Sequence, residues 1–129
     1  MNVCLDTNAY RRIHDGHVPA IDLLESADTA CLPVIVLGEL HAGFEIGSHR
    51  QRNLELLNRF LKEMDIRLAF VDRQIAERYG HLSAHLRRIG TPIPTNDIWV
   101  AATAMELGAR LLTYDQHFSH IPGLMIVAP

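Results

Sequence analysis

The chain has 129 residues, of which 48% are hydrophobic and 21% charged, with a formal net charge of −3. That length suits one domain spanning 1–129 and buries on the order of 70% of the unfolded surface, so no disulfide or metal staple is needed. The composition excludes a disordered tail, a fibre and a strongly basic nucleic-acid coat, although eleven of the twelve basic residues are arginine, the better planar partner for phosphate and for carboxylates.

The first element, "NVCL", reads as a short buried strand, and Asp6 follows directly on it. "TNAYRRIHDG" and "PAIDLLESA" follow as short helices, the second with Pro19 in its first turn, where a missing N–H costs nothing. "TACL" is a second strand, closed by Pro33. "VIVLGELHAGFEIG" spaces Val34, Leu37, Leu40 and Phe44 at helical intervals, although its β-branched start leaves a strand possible. "HRQRNLELLNRFLKEM" is a longer helix with a Leu54, Leu57, Phe60 and Leu61 stripe.

"IRLAFV" returns as a strand. "RQIAERYGHLSAHLRRIG" puts Ile75, Tyr79, Leu82 and Leu86 on one helical face and stops at Gly90. "PTNDIWVAATAMELG" is a helix closed by Gly108, and "ARLLTYD" and "GLMIV" are the last two strands. Strands alternating with helices imply an α/β fold, a mostly parallel sheet covered by helices on both faces.

No apolar run approaches the ~18 residues of a membrane span, and "MNVCLDTNAY" lacks the basic and apolar regions of a signal peptide. A soluble, unprocessed cytoplasmic protein is expected, with no membrane partner. Cys4 and Cys31, each in a short apolar segment, read as buried reduced thiols.

In parallel sheets the ligand site lies beyond the carboxyl ends of the strands. Asp6 and Asp115 each follow a strand directly, so both project from one edge if those strands are neighbours. Taken singly, Asp6 could cap a helix, Asp115 shape a turn and Asp97, after Pro94, cap the next helix. Glu39 sits in an otherwise apolar segment, where a buried carboxylate is costly unless paired or bound to a cation.

A convergence of all four acids, with no lysine at hand, requires protons or a divalent cation. Oxygen ligands without a Cys/His set favour Mg2+, with Mn2+ as its substitute. Carboxylate-held Mg2+ suits attack of water on a phosphodiester. Thr7, Asn8, Asn96 and Thr113, beside the acids, could orient water around the ion.

Read in order, "LDTNAY", "VLGELHAG", "PTNDIWVAATAMELGARLLTYDQHF" and "IPGLMIV" resemble the PIN domain, and more narrowly the VapC-type toxins of bacterial toxin–antitoxin pairs. The resemblance implies a PIN-like three-layer sandwich with a parallel sheet of four or five strands. It also implies a magnesium-dependent endoribonuclease with the acidic set Asp6, Glu39, Asp97 and Asp115, of which Asp6 and Asp97 are the surest metal ligands. Members cut RNA, often tRNA or rRNA loops, are often homodimers, and are silenced by a cognate antitoxin. His117 stands where many relatives carry a further acid.

Other readings fit less well. A phosphorelay receiver needs neighbouring acids after the first strand and a late lysine, whereas Asp6 is followed by Thr7 and Asn8 and Lys62 lies in mid-helix. A dehalogenase-type phosphatase needs a second aspartate where Asn8 stands, and "HLSAH" lacks the glutamate of a zinc protease. A PIN-like RNA- or protein-binding module that has lost catalysis is the remaining alternative. The apolar faces around Phe44, Leu54 and Leu57 are candidate partner surfaces, and Arg11, Arg12, Arg50, Arg52, Arg87 and Arg88 candidate RNA contacts.

Overall fold

The computed structural model describes residues 1–129. In chain order it contains β1 (Asn2–Leu5), α1 (Thr7–His14), α2 (Val18–Ser26), β2 (Thr29–Pro33), α3 (Val34–Ile46) and α4 (Arg50–Glu63). Then come β3 (Ile66–Ala69), α5 (Arg73–Arg88), α6 (Thr95–Glu106), β4 (Arg110–Leu112), a 3-10 turn (Gln116–His120) and β5 (Ile126–Val127). The five strands form one sheet in the order β3-β2-β1-β4-β5, every pair parallel.

The central strands are buried on both sides because the helical connections fold back over the sheet. Val3, Cys4, Leu5, Leu32, Leu111 and Leu112 are accordingly almost wholly buried. Helix α3 packs against β2, α4 against β3 and α6 against β4, while α5 pairs with α6. The result is the expected α/β sandwich.

α6 is buried nearly all round. Its alanines, Ala101, Ala102 and Ala104, let it approach its neighbours closely, and Trp99 stacks on Tyr79 of α5 with ring centroids 3.9 Å apart. Gly108 ends it. At φ +61° the residue is left-handed, and Ala109 and Gly108 donate back to the carbonyls of Ala104 and Met105, which turns the chain straight into β4. A Cβ at Gly108 would meet nothing within 4 Å, so only the backbone conformation resists a side chain. Gly108→Ala is expected to lower the unfolding free energy by about 1 to 2 kcal/mol, measurable by urea denaturation.

The late strands are shorter than their apolar runs. β3 stops at Ala69, leaving Phe70 and Val71 exposed beyond the edge of the sheet, and β4 stops at Leu112, after which the chain turns towards the 3-10 helix. Leu57 is fully buried in the core, with Phe44 packed against it. That removes Leu57 from any partner surface. Cys4 and Cys31 are register partners on β1 and β2, Cys4 buried and Cys31 half-buried, both as free thiols.

The connections set the position of the cleft. β1 leads through α1 and α2 to β2 on one side, whereas β3 leads through α5 and α6 back across to β4 on the other side of β1. The reversal opens a crevice between the carboxyl ends of β1 and β4, where parallel sheets bind ligands.

Candidate functional site

Asp6 is the first residue beyond β1 and lies at that crevice, 5% exposed. It is the N-cap of α1: its Oδ1 accepts the Ala9 N–H at 2.7 Å. Its Oδ2 accepts the hydroxyl of Thr113, the first residue beyond β4. Thr113 is itself buried, and its Oγ1 accepts the Asp115 N–H at 3.1 Å. One threonine therefore ties together the two strand ends. Each carboxylate oxygen of Asp6 keeps a second lone pair for another partner.

Asp115 is half-buried and heads the 3-10 turn, its Oδ1 accepting the His117 N–H at 2.9 Å. Asp97 sits in the first turn of α6, behind Pro94. No side chain caps that helix: Asp97 is too far into the turn to do so, and its Oδ2 lies 3.2 Å from His117 Nδ1. His117 Nδ1 also lies 3.3 Å from Asp115 Oδ1. Ligating atoms of Asp97, Asp115 and His117 all fall within 4.8 Å of one another.

Glu39 comes from the middle of α3. The sequence suggested a carboxylate sunk in an apolar core; instead it is half-buried at the cleft wall, with Oε1 accepting the Thr7 hydroxyl at 2.8 Å. α3 is apolar around most of its circumference, but only Val36 and Leu40 are fully buried, so apolar neighbours in sequence did not mean an apolar environment.

A cleft of about 270 Å3 is lined by Asp6, Thr7, Asn8, Arg11, Glu39, Asp97, Val100 and Asp115. It adjoins a more open recess formed by Glu39, Pro94, Thr95, Asn96, Asp97, Asp115 and His117. All four expected acids and three of the four expected polar neighbours, Thr7, Asn8 and Asn96, thus border one connected depression; Thr113 lies buried behind it, against Asp6. Of the arginines singled out in the sequence only Arg11 lines it; Arg12 instead lies over the Tyr114 ring, 3.9 Å from its centroid, and Arg50 pairs with Glu45.

The electrostatics match the crowding. Burial raises the Asp6 carboxyl above the usual range, against the hydrogen bonds from Thr113 and Ala9, and the charges of Asp115 and Asp97 push it further. Burial also raises Asp97, opposed by His117 and reinforced by Asp115 and Glu39. Carboxylates that disfavour one another's charge in a half-buried cleft, with one arginine to offset them, fit a divalent cation well.

A protein-family model described as "PIN domain" matches residues 3–124. The chain belongs to the PIN domain family. Within that family it is similar to ribonuclease VapC2 of Rickettsia felis, 30% identical over 95% of this chain and 93% of that protein. It is also similar to the tRNA(fMet)-specific endonuclease VapC of Salmonella typhimurium, 32% identical over 74% of this chain and 72% of that protein. Among solved structures, VapBC2 from Rickettsia felis bound to a DNA fragment from its promoter superposes with a TM-score of 0.87, at 27% identity and covering 98% of both chains. The PIN-domain sheet, switch point and acidic cleft described above are therefore set in a ribonuclease lineage.

His117 is the cleft residue that sequence reasoning leaves without a definite role. A histidine two residues after a turn-forming aspartate looks like surface, and the ring is indeed 52% exposed. The available signal was its spacing: an aspartate that caps the backbone N–H two residues on holds that residue's side chain beside its own carboxylate.

Proposed function

We propose that this PIN-domain chain is a divalent-cation-dependent endoribonuclease, the toxin of a toxin–antitoxin pair, and that Asp6, Glu39, Asp97 and Asp115 are its catalytic, cation-holding set. The observation that carries the reading is the meeting of these four carboxylates from β1, α3, α6 and the turn after β4 at one cleft. The cation is Mg2+, with Mn2+ able to substitute. Bound there, it supplies Lewis acidity for attack of water on an RNA phosphodiester and charge for the leaving oxygen.

The chain's own groups set the rest. Thr113 and the Ala9 N–H fix both oxygens of Asp6 so that its remaining lone pairs face the cleft at no cost in reorganisation. Thr7 does the same for one oxygen of Glu39. Asn8 and Asn96, both exposed at the rim, offer amide groups to water or to the ribose–phosphate chain. Arg11 is the positive group placed to hold a phosphate against this negative cleft.

The RNA is a tRNA or an rRNA loop, cleavage arrests translation, and the protein acts in the cytoplasm as a homodimer restrained by its antitoxin. The similarity to a tRNA(fMet)-specific endonuclease supports a tRNA substrate, and no helix is long and apolar enough to cross a membrane.

Purified protein incubated with total cellular RNA is expected to give discrete fragments with Mg2+ and none with EDTA. Intact RNA in both, from folded protein, would overturn the proposal. Arg11→Gln is expected to weaken RNA binding across sequences alike and to lower the slope of log affinity against log salt by roughly 0.7, the value for one single-strand phosphate contact. Fluorescence anisotropy with a labelled RNA at several salt concentrations checks it.

A further inference from the structure

On the carboxylate side the cleft offers only oxygen, but at its outer end the donor set changes. We propose that His117 supplies a nitrogen ligand through Nδ1 beside Asp97 and Asp115, which tightens binding of Mn2+, the substituting ion, and leaves that of Mg2+ little changed; the inference rests on the cation reading above.

The first observation is spacing. His117 Nδ1 lies 3.2 Å from Asp97 Oδ2 and 3.3 Å from Asp115 Oδ1. In an octahedral shell with bonds near 2.1 Å, adjacent ligands are about 3.0 Å apart. Both separations from the imidazole are near those of neighbouring ligands, and the ligating atoms of all three residues lie within 4.8 Å of one another, so small rotations would bring them around one ion.

The second is that the arrangement is built rather than incidental. The Asp115 carboxylate accepts the His117 N–H, the Asp115 N–H donates to Thr113, and Phe118, next in the chain, is buried at 1% exposure. Those contacts fix the backbone on both sides of the imidazole. The ring has no hydrogen-bond partner other than these acids, so ligation would break no other contact.

The chemistry then separates the ions. Mg2+ loses water reluctantly and keeps an all-oxygen octahedron, whereas Mn2+, also at home among oxygens, opens the transition series whose later members take imidazole readily. Mn2+ gains least from nitrogen in that series, so a preference visible with Mn2+ is a lower bound for the others.

The test reads binding, not cleavage. Mn2+ is titrated into the full-length protein by electron paramagnetic resonance, Mg2+ affinity is obtained by competition, and pulsed measurements look for 14N coupling to bound Mn2+. Wild-type protein is expected to show that coupling and His117→Gln to lose it. In His117→Gln the Mn2+ dissociation constant is expected to rise about tenfold with Mg2+ changed by about twofold or less. His117→Asp, which restores an all-oxygen set, is expected to bind both ions with the preference moved towards Mg2+.

Mn2+ bound to wild type without 14N coupling, at an affinity His117→Gln retains, would overturn the inference and leave the carboxylate site standing: His117 would then be an ion-pair partner of the two acids only. Failure of wild type to bind either ion, with Asp97→Asn behaving identically, would instead overturn the cation reading and this inference together.

Discussion

Asp97→Asn is expected to abolish RNA cleavage and, in EDTA, to melt a few degrees higher than wild type near neutral pH. Asparagine keeps the shape and a hydrogen-bonding group for His117 but removes a charge that burial, Asp115 and Glu39 all disfavour. The sign follows from linkage. A carboxyl whose pKa is raised on folding binds more protons in the folded state than in the unfolded one, so it favours folding at pH below its ordinary value of 3.8.

That contribution is lost as pH rises through the raised value. Wild type without cation should therefore lose stability over that window more steeply than the variant, and a shift of a few degrees corresponds to about 1 kcal/mol for a domain of this size. Added cation should reverse the order, because it stabilises only the protein that binds it. Calorimetry in EDTA and in Mg2+ checks both halves. A variant that is inactive because it is unfolded would show neither.

Thr113→Val is the second large effect. Its hydroxyl is the partner of one oxygen of a 5%-exposed carboxylate and accepts the Asp115 N–H, so valine strands both. Removing a partner from a buried charged group costs about 1 to 3 kcal/mol or more. The bond from Thr113 also holds the Asp6 carboxyl down against burial. Without it Asp6 should protonate at higher pH, and the rising limb of the pH–rate profile should move upward.

Thr113→Ser keeps the hydroxyl and should stay near wild type in both stability and profile. A Thr113→Val protein with an unchanged melting temperature and pH profile would show that the contact with Asp6 carries nothing.

Much of this was legible from residue order because the chain punctuates its elements clearly. Pro19, Pro33, Pro94, Gly90 and Gly108 sit at element boundaries, and β1 and β2 are short runs of small apolar residues that only a doubly covered sheet can bury. Asp6 and Asp115 could be placed at one edge by strand ends alone, and the β1–β4 pairing bears that out.

The rest depends on three-dimensional neighbours. Phe70 and Val71 are apolar yet exposed, because they run past the edge of the sheet. Glu39 is apolar in its sequence neighbours and polar in its surroundings, since Thr7 arrives from another helix. Asp97 looked like a cap and is not one; what it meets is His117, twenty residues on. That contact comes from the packing of α6 beside the turn after β4, which no local pattern records.

The most direct test of the central claim is the initial rate of cleavage of one labelled RNA at saturating Mg2+ by wild type, Asp6→Asn and Asp97→Asn, each shown to be folded by circular dichroism. The account predicts cleavage by wild type that EDTA stops, and no detectable cleavage by either variant. Cleavage by Asp97→Asn at the wild-type rate would contradict it, because the reaction would then owe nothing to the acids gathered at the ends of β1 and β4.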